Sequence, residues 1–169
     1  IASTKNNKVN KVKYDYIITS NLKRSKMSAI FFLSKKIINN KLINEIDYGD
    51  VDGLTFKMVK KNYPYLIKSW KLGIDARFPR GENTSDVNKR VQRFIFFLKK
   101  FKKNANILII SHSFFLRVLI GLIFKIDQKK VYKIKIDHLQ MFKFFNKNNV
   151  ITPNFSRIEQ EKIYNQIND

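Results

Sequence analysis

The sequence predicts an α/β domain in which a mostly parallel central sheet lies between two layers of helices. Two short apolar runs, residues 15–20 and Ile107–Ile110, are typical of buried strands, and a helical pattern follows each of them. The run Ile107–Ile110 is apolar throughout, as expected for a parallel strand covered on both faces. Strands that alternate with helices in this way indicate a three-layer α/β/α sandwich.

The remaining elements follow from periodicity and from turn residues. Apolar side chains at helical spacing predict four helices, over residues 22–38, 54–62, 85–101 and 114–124. Residues 138–145 predict a late strand, and a tight turn at 146–149 predicts a hairpin with residues 150–151, which gives the sheet an antiparallel edge. Residues 47–53 and 63–81 predict irregular segments, because Gly, Asp and Pro interrupt them.

We expect the 169 residues to form a single domain with a polar tail from about residue 153. The chain begins with Ile1 rather than Met, so we expect it to be incomplete at its N-terminus. It contains no cysteine, which excludes disulfides and thiolate metal sites, and we find no cluster spaced to bind a metal ion.

The formal charge of +21 raises the question of a nucleic-acid partner. The lysines are spread along the whole chain among many Asn, Ile and Phe residues, which indicates a compositional bias rather than a binding patch. We therefore expect no nucleic-acid partner. The longest apolar stretch, residues 107–124, is interrupted by His112 and Arg117 and fits a strand and a helix better than a membrane span. We expect a cytoplasmic protein without membrane contact.

Polar side chains follow both predicted strands at the point where each strand ends. Ser20, Asn21 and Arg24 follow the first, and His112 and Ser113 follow the second. Ligands of open α/β sheets bind just past these carboxyl ends, where helix N-termini and arginine can hold a phosphate group. Each residue alone has a structural explanation, as a hydrogen-bonded histidine, a solvated arginine or a turn residue.

Four segments in order resemble motifs of the histidine phosphatase (phosphoglycerate-mutase-like) family. They are residues 15–25 (DYIITSNLKRS), 45–55 (EIDYGDVDGLT), 79–83 (PRGEN) with Arg90 downstream, and 109–113 (IISHS) with Leu116 and Arg117 following. The resemblance runs from about residue 15 to residue 145. It implies that Arg24 is the arginine of the phosphate pocket, Asp52 the proton donor and His112 the second active-site histidine.

The resemblance implies a two-step reaction in which a nucleophilic histidine takes a phosphoryl group and water later removes it. Asp52 would protonate the leaving alkoxide and then act as a base toward water. Asn21, Ser113 and Glu82, together with Arg24, would bind the substrate. This chemistry requires no metal ion and no cofactor.

The implied nucleophile belongs to an Arg-His-Gly motif on a preceding strand. The chain has two histidines, His112 and His138, and no Arg-His pair. We expect His138 to be structural, the nucleophile-bearing strand to be missing, and the chain to be inactive without it. In two further departures, Asp52 stands where the family has glutamate and Ser113 where it has glycine.

The leading hypothesis is a phosphomonoesterase acting on a small phosphorylated metabolite. The stretch between Asp52 and His112 lacks the additional segment of cofactor-dependent phosphoglycerate mutases, which favours hydrolysis over mutase chemistry. Three alternatives stay open: phosphoglycerate-mutase-type phosphoryl transfer, a non-catalytic phosphate-binding module, and a nucleic-acid binder supported by charge alone. A homodimer is also left open.

The implied missing strand leads to a prediction about stability. The resemblance places it in mid-sheet beside Ile107–Ile110, so its absence would leave backbone groups of two central strands unpaired. We expect the 169 residues alone to be poorly stable or to aggregate on heating. A cooperative and reversible thermal transition with a native-like near-UV circular dichroism signal would contradict this.

Overall fold

The computed structural model describes residues 12–147 and 150–168, and the described residues form two compact units. The first unit contains the chain up to Glu45 together with Arg93–His112. The second contains Ile46–Gln92 and the chain from Ser113 onward. The expected single domain over all 169 residues stays a prediction.

Strands and helices alternate through most of the chain, as the sequence predicts. In chain order they are β1 (Lys13–Thr19), α1 (Lys23–Ala29), β2 (Leu33–Asn39), α2 (Phe56–Asn62), α3 (Pro64–Lys71), α4 (Thr84–Leu98), β3 (Ile107–Ile110), α5 (Ser113–Ile123), β4 (Phe144–Lys147), β5 (Val150–Pro153) and α6 (Arg157–Asn168). Short 3-10 helices cover Lys41–Ile43, Gly49–Val51 and Gln128–Lys133.

The first unit is built on a three-stranded parallel sheet in the order β2-β1-β3. Ile17 and Ile18 of the central strand β1 are fully buried, whereas all four residues of β3 are half-buried. Helix α1 lies against β1 and β3, and Ala29 packs with Tyr14 and Ile17. The α/β class and the parallel sheet are thus confirmed.

The predicted helix over residues 22–38 is wrong in its second half. Helix α1 ends at Ala29, and the chain then forms β2, which pairs with β1 along its length. The apolar positions that suggested helical spacing, Ile30 and Phe31, are 73% and 64% exposed. The helix buries its small residues Ser25 and Ala29 instead, so the apolar periodicity did not mark a core face.

In the second unit, α2 and α3 pack around Val51, Val59 and Leu66. The prediction that residues 63–81 are irregular is wrong for their first part, because α3 begins at Pro64. Proline suits the first position of a helix, where its missing N–H has no partner to lose. It therefore starts a new helix here as well as ending the preceding one.

The predicted hairpin is present but begins later than expected. Strand β4 starts at Phe144 rather than at residue 138, and it pairs with β5 in antiparallel orientation. These two strands form a separate two-stranded sheet instead of an edge of the parallel one. Residues 148 and 149 of the predicted turn, like residues 1–11 at the N-terminus, lie outside the described residues.

The expected polar tail from residue 153 contains helix α6. Ile163 and Ile167, four residues apart, are buried, so this helix presents an apolar stripe within an otherwise polar sequence. Within residues 12–147 and 150–168, no helix is both long enough and apolar enough to span a bilayer.

The N-terminus of helix α4 donates hydrogen bonds to a side chain that precedes the helix by nine residues. The Asp75 carboxylate accepts from the backbone N–H groups of Thr84 (2.8 Å) and Ser85 (2.9 Å) and from the Ser85 hydroxyl (2.7 Å). Partial burial raises the pKa of Asp75, but the hydrogen bonds from Ser85 and Thr84 outweigh it and leave this pKa below its usual value. The carboxylate therefore fixes the start of α4 in its ionised form.

Replacement of this carboxylate gives a pH-dependent prediction. We expect Asp75→Ala to lower the free energy of unfolding by about 1 kcal/mol at neutral pH, because two helix N–H groups lose their acceptor. Since the folded-state pKa is lowered, the contribution is present above the unfolded-state pKa and is lost as pH falls through the folded-state value. Urea unfolding of both proteins should therefore converge in acid. Asp75→Asn, which keeps the shape, is the control, and an equal loss at every pH would contradict the expectation.

Candidate active site

The parallel pairing of β1 with β3 brings two polar residues together at the carboxyl edge of the sheet. Thr19 is opposite Ile110, and Ser20 and His112 follow these positions. Ser20 Oγ lies 2.6 Å from His112 Nε2. Ser20 is fully buried and His112 is 8% exposed, so this contact is shielded from solvent.

Arg24 reaches the opposite nitrogen of the same imidazole. It stands in the first turn of α1 with an exposed side chain, and its Nε–H donates to His112 Nδ1 over 3.2 Å. The guanidinium has donors and no acceptor, so Nδ1 must accept. The proton of the neutral ring is then on Nε2, which donates to Ser20 Oγ.

His112 is uncharged at neutral pH in this environment. Burial of the ring, followed by the positive charge of Arg24, lowers the pKa of His112 from 6.5 to about 4. Both effects penalise the imidazolium. A phosphate dianion at this position would oppose both, because it supplies negative charge and accepts hydrogen bonds.

Backbone and hydroxyl hydrogen bonds hold the start of α1 against β3. Ser25 Oγ donates to the Ile110 carbonyl over 2.7 Å and accepts from Ser20 N–H over 3.2 Å. Asn21 is exposed, and its backbone N–H donates to Asn44 Oδ1 over 2.9 Å. The predicted substrate contact of the Asn21 side chain stays a prediction.

The second unit contains the predicted acidic loop. Asp52 is exposed and directly follows the 3-10 helix Gly49–Val51, which places its carboxylate at the surface of this loop. Glu82 fixes the beginning of the loop, because its Oε2 accepts from Asp47 N–H over 3.0 Å. The two chain segments are also joined by backbone hydrogen bonds, including Glu82 N–H to the Asp47 carbonyl at 2.8 Å.

Glu82 is paired with an arginine on helix α4. Arg90 Nε donates to Oε1 over 2.7 Å and Arg90 Nη2 donates to Oε2 over 2.8 Å, which makes a two-donor contact. Both side chains are about four-fifths buried. Both carboxylate oxygens of Glu82 are thus engaged within the protein. The substrate-binding role that the sequence suggested for Glu82 stays a prediction.

Of the predicted site residues, the structure brings Arg24 and His112 into contact within the first unit. Asp52, Glu82 and Ser113 belong to the second unit, where Ser113 is the first residue of α5. Ser20 follows a predicted strand end, but the family resemblance assigns it no role in the site. Ser20 could have been found from the predicted sheet, because two adjacent parallel strands that are each followed by a polar residue bring those residues together.

Within the described part of the chain, no group of three or more histidine, aspartate or glutamate side chains is arranged to hold a metal ion. The arrangement can bind an anion through Arg24 and His112 and can exchange a proton at His112 Nδ1.

A family model for the histidine phosphatase superfamily (branch 1) matches residues 2–149. The chain belongs to the histidine phosphatase superfamily. The match spans both compact units and includes every predicted site residue. It confirms the family that the four sequence motifs resemble.

Curated relatives of this histidine phosphatase chain include three enzymes. It is 35% identical over 104 residues to a 6-phosphofructo-2-kinase/fructose-2,6-bisphosphatase of Arabidopsis thaliana, 61% of this chain and 14% of that protein. It is 31% identical over 113 residues to a Saccharomyces cerevisiae fructose-2,6-bisphosphatase, 66% and 24% of the two chains. Phosphoserine phosphatase 1 of Hydrogenobacter thermophilus is 27% identical over 128 residues, 73% and 61%. The match thus spans less than two thirds of each relative.

Solved structures show the same fold. The alpha-ribazole phosphatase of Shigella flexneri superposes with a TM-score of 0.76 at 22% identity, covering 87% of this chain and 75% of that one. Bacillus stearothermophilus YhfR gives a TM-score of 0.73 at 16% identity, covering 88% and 76%. At these identities the likeness establishes the fold of the histidine phosphatase chain and nothing finer.

The contact between Arg24 and His112 leads to a prediction for titration. We expect the His112 ring to titrate at about pH 4, and Arg24→Gln to raise its pKa but leave it below 6.5, because burial persists. This group's contribution to stability is complete above the unfolded-state pKa and decreases as pH falls from 6.5 toward 4. Proton NMR checks this, with His138→Gln to assign the two ring signals. A midpoint near 6.5 in the unaltered protein would contradict it.

Proposed function

We propose that this chain is part of a phosphomonoesterase that acts on a small phosphorylated metabolite through a phosphohistidine intermediate. The observation that carries the proposal is the contact of Arg24 with His112 at the carboxyl end of the parallel sheet. An exposed guanidinium beside a neutral, mostly buried imidazole suits a phosphate ester, because the dianion accepts from arginine and stabilises a proton on the ring.

The proposed reaction divides one displacement into two. A histidine of an Arg-His-Gly segment outside these 169 residues forms an N–P bond while the ester P–O bond breaks. Asp52 gives its proton to the departing alkoxide and then accepts a proton from water, whose oxygen attacks phosphorus as the N–P bond breaks. Arg24 and protonated His112 stabilise the charge of the equatorial phosphoryl oxygens in both steps.

The relatives support hydrolysis of a small phosphate ester. Their names include fructose-2,6-bisphosphatase and phosphoserine phosphatase, both phosphatases. Relatives named 2,3-bisphosphoglycerate-dependent phosphoglycerate mutase also match, at 29% identity over 129 residues for the Bartonella quintana protein. Mutase chemistry is therefore the second candidate. The cytoplasmic location, and the lack of a nucleic-acid partner, stay predictions.

A non-catalytic phosphate-binding module is the third candidate, supported by one observation. Neither His112 nor His138 lies in an Arg-His-Gly motif, and His138 is exposed outside the strands and helices. Such a module would bind phosphate through Arg24 and His112 without turnover. A motif upstream in the gene, together with measured hydrolysis, would exclude it.

The test is hydrolysis of p-nitrophenyl phosphate by the protein with the upstream residues that its gene encodes. We expect His112→Ala and Arg24→Ala each to reduce kcat/KM by roughly a hundredfold or more, because each removes a group that binds the transferring phosphoryl group. His138→Ala is the matched control and should retain activity.

Two outcomes of this assay would contradict the proposal. Full activity of His112→Ala would remove the assignment of this residue. Activity that EDTA abolishes and added metal restores would exclude the metal-free route. Hydrolysis should instead be unchanged by EDTA.

A further inference from the structure

Ser20 has an environment that its position at a strand end does not require. Its side chain is fully buried, and its Oγ lies 2.6 Å from His112 Nε2 and accepts from Leu22 N–H over 3.2 Å. Its own backbone N–H is bonded to the Ile110 carbonyl and to Ser25 Oγ, both at 3.2 Å. The hydroxyl is therefore fixed in place relative to both strands of the sheet that end here.

The donors and acceptors around His112 determine the direction of this hydrogen bond. Arg24 Nε–H can only donate, so His112 Nδ1 accepts and Nε2 carries the proton. Nε2–H then donates to Ser20 Oγ, whose second lone pair receives Leu22 N–H. A protonated Nε2 cannot take the Ser20 proton, so this pair is not a nucleophile and its base.

We propose that Ser20 is a positioning residue that acts with Arg24 to fix the tautomer and ring plane of His112, so that Nδ1 is the nitrogen presented to a bound phosphoryl group. The second half of this statement rests on the proposed function, whereas the first half concerns the unliganded protein. Nδ1 is on the side of the exposed Arg24 guanidinium, and Nε2 is on the side of a fully buried hydroxyl.

This arrangement requires His112 to gain a proton when a phosphate ligand binds to Nδ1. In the free protein, Nδ1 accepts from Arg24. For a phosphoryl oxygen to receive a hydrogen bond from the same nitrogen, Nδ1 must gain one proton from solvent while Nε2–H stays on Ser20. The ring then becomes an imidazolium with both N–H groups bonded, one to the serine and one to the phosphate.

The test is nitrogen-15 NMR of the His112 and His138 rings in the protein with the upstream residues that its gene encodes, which distinguishes Nε2–H from Nδ1–H. We expect His112 in the unaltered, phosphate-free protein at neutral pH to be the Nε2–H tautomer, and inorganic phosphate to add a proton at Nδ1. Ser20→Ala leaves Nε2–H without its buried acceptor, which counteracts the preference set by Arg24. It should therefore produce a mixture of tautomers and weaken phosphate binding by roughly three- to tenfold, as for the loss of one hydrogen bond. His138→Gln assigns the signals.

Ser25→Ala is the matched control. Ser25 is also buried and belongs to the same network, but its hydroxyl bonds to Ile110 and Ser20 N–H rather than to His112. We expect it to leave the Nε2–H tautomer unchanged. An identical tautomer shift in both serine variants would show a general loss of packing and would overturn the positioning role.

The tautomer of the unaltered protein decides the proposal even if Ser20→Ala does not fold. An Nδ1–H ring in the free protein would overturn it, as would an unchanged tautomer in folded Ser20→Ala. If the Nε2–H tautomer depends on Ser20 but phosphate does not bind, and the protein with the upstream residues that its gene encodes shows no hydrolysis, the positioning role stands and the proposed function fails.

Discussion

The parallel pairing of β1 with β3 is the constraint on which the candidate site depends. Residues 19 and 110 are opposite one another, so the chain leaves both strands at the same edge and places Ser20 beside His112. Ser25 continues the connection, because its hydroxyl donates to the Ile110 carbonyl. A shift of register by one residue would move this whole set of contacts, since alternate side chains point to opposite faces. The sheet therefore determines the chemistry of the site.

Electrostatics explains why this histidine and arginine tolerate one another. A charged imidazole beside Arg24 would place two cations next to each other and would bury one of them. The neutral ring avoids both the repulsion and the desolvation cost. The neutral ring can then accept from the guanidinium and donate to Ser20 at the same time. A bound dianion would offset the positive charge of Arg24 and would therefore favour the charged ring that the free protein disfavours.

The sequence predicts β1, β3, α4 and α5 well because strong patterns mark them: apolar runs for the strands and helical periodicity for the helices. It fails at β2 because exposed Ile30 and Phe31, which precede the strand, continue the helical pattern, whereas the strand itself depends on pairing with β1. Contacts between residues far apart in the sequence, such as Ser20 with His112, have no local signature. Motif order located His112 and Arg24, whereas the hydrogen-bonding state of the imidazole required the structure.

A close approach of two backbone segments explains an unusual conformation beside the acidic loop. Arg80 has a left-handed conformation with φ of 55°, a region that favours glycine. This costs a non-glycine residue roughly 1 kcal/mol, and the largely exposed ion pair of Arg80 with Asp50 is worth about that or less. The backbone conformation is determined instead by the close approach of residues 47–49 to residues 79–81. A Cβ on Gly49 or Gly81 would overlap backbone atoms of the opposite segment. The close approach of these two glycines, reinforced by Glu82, therefore imposes the strained conformation on Arg80.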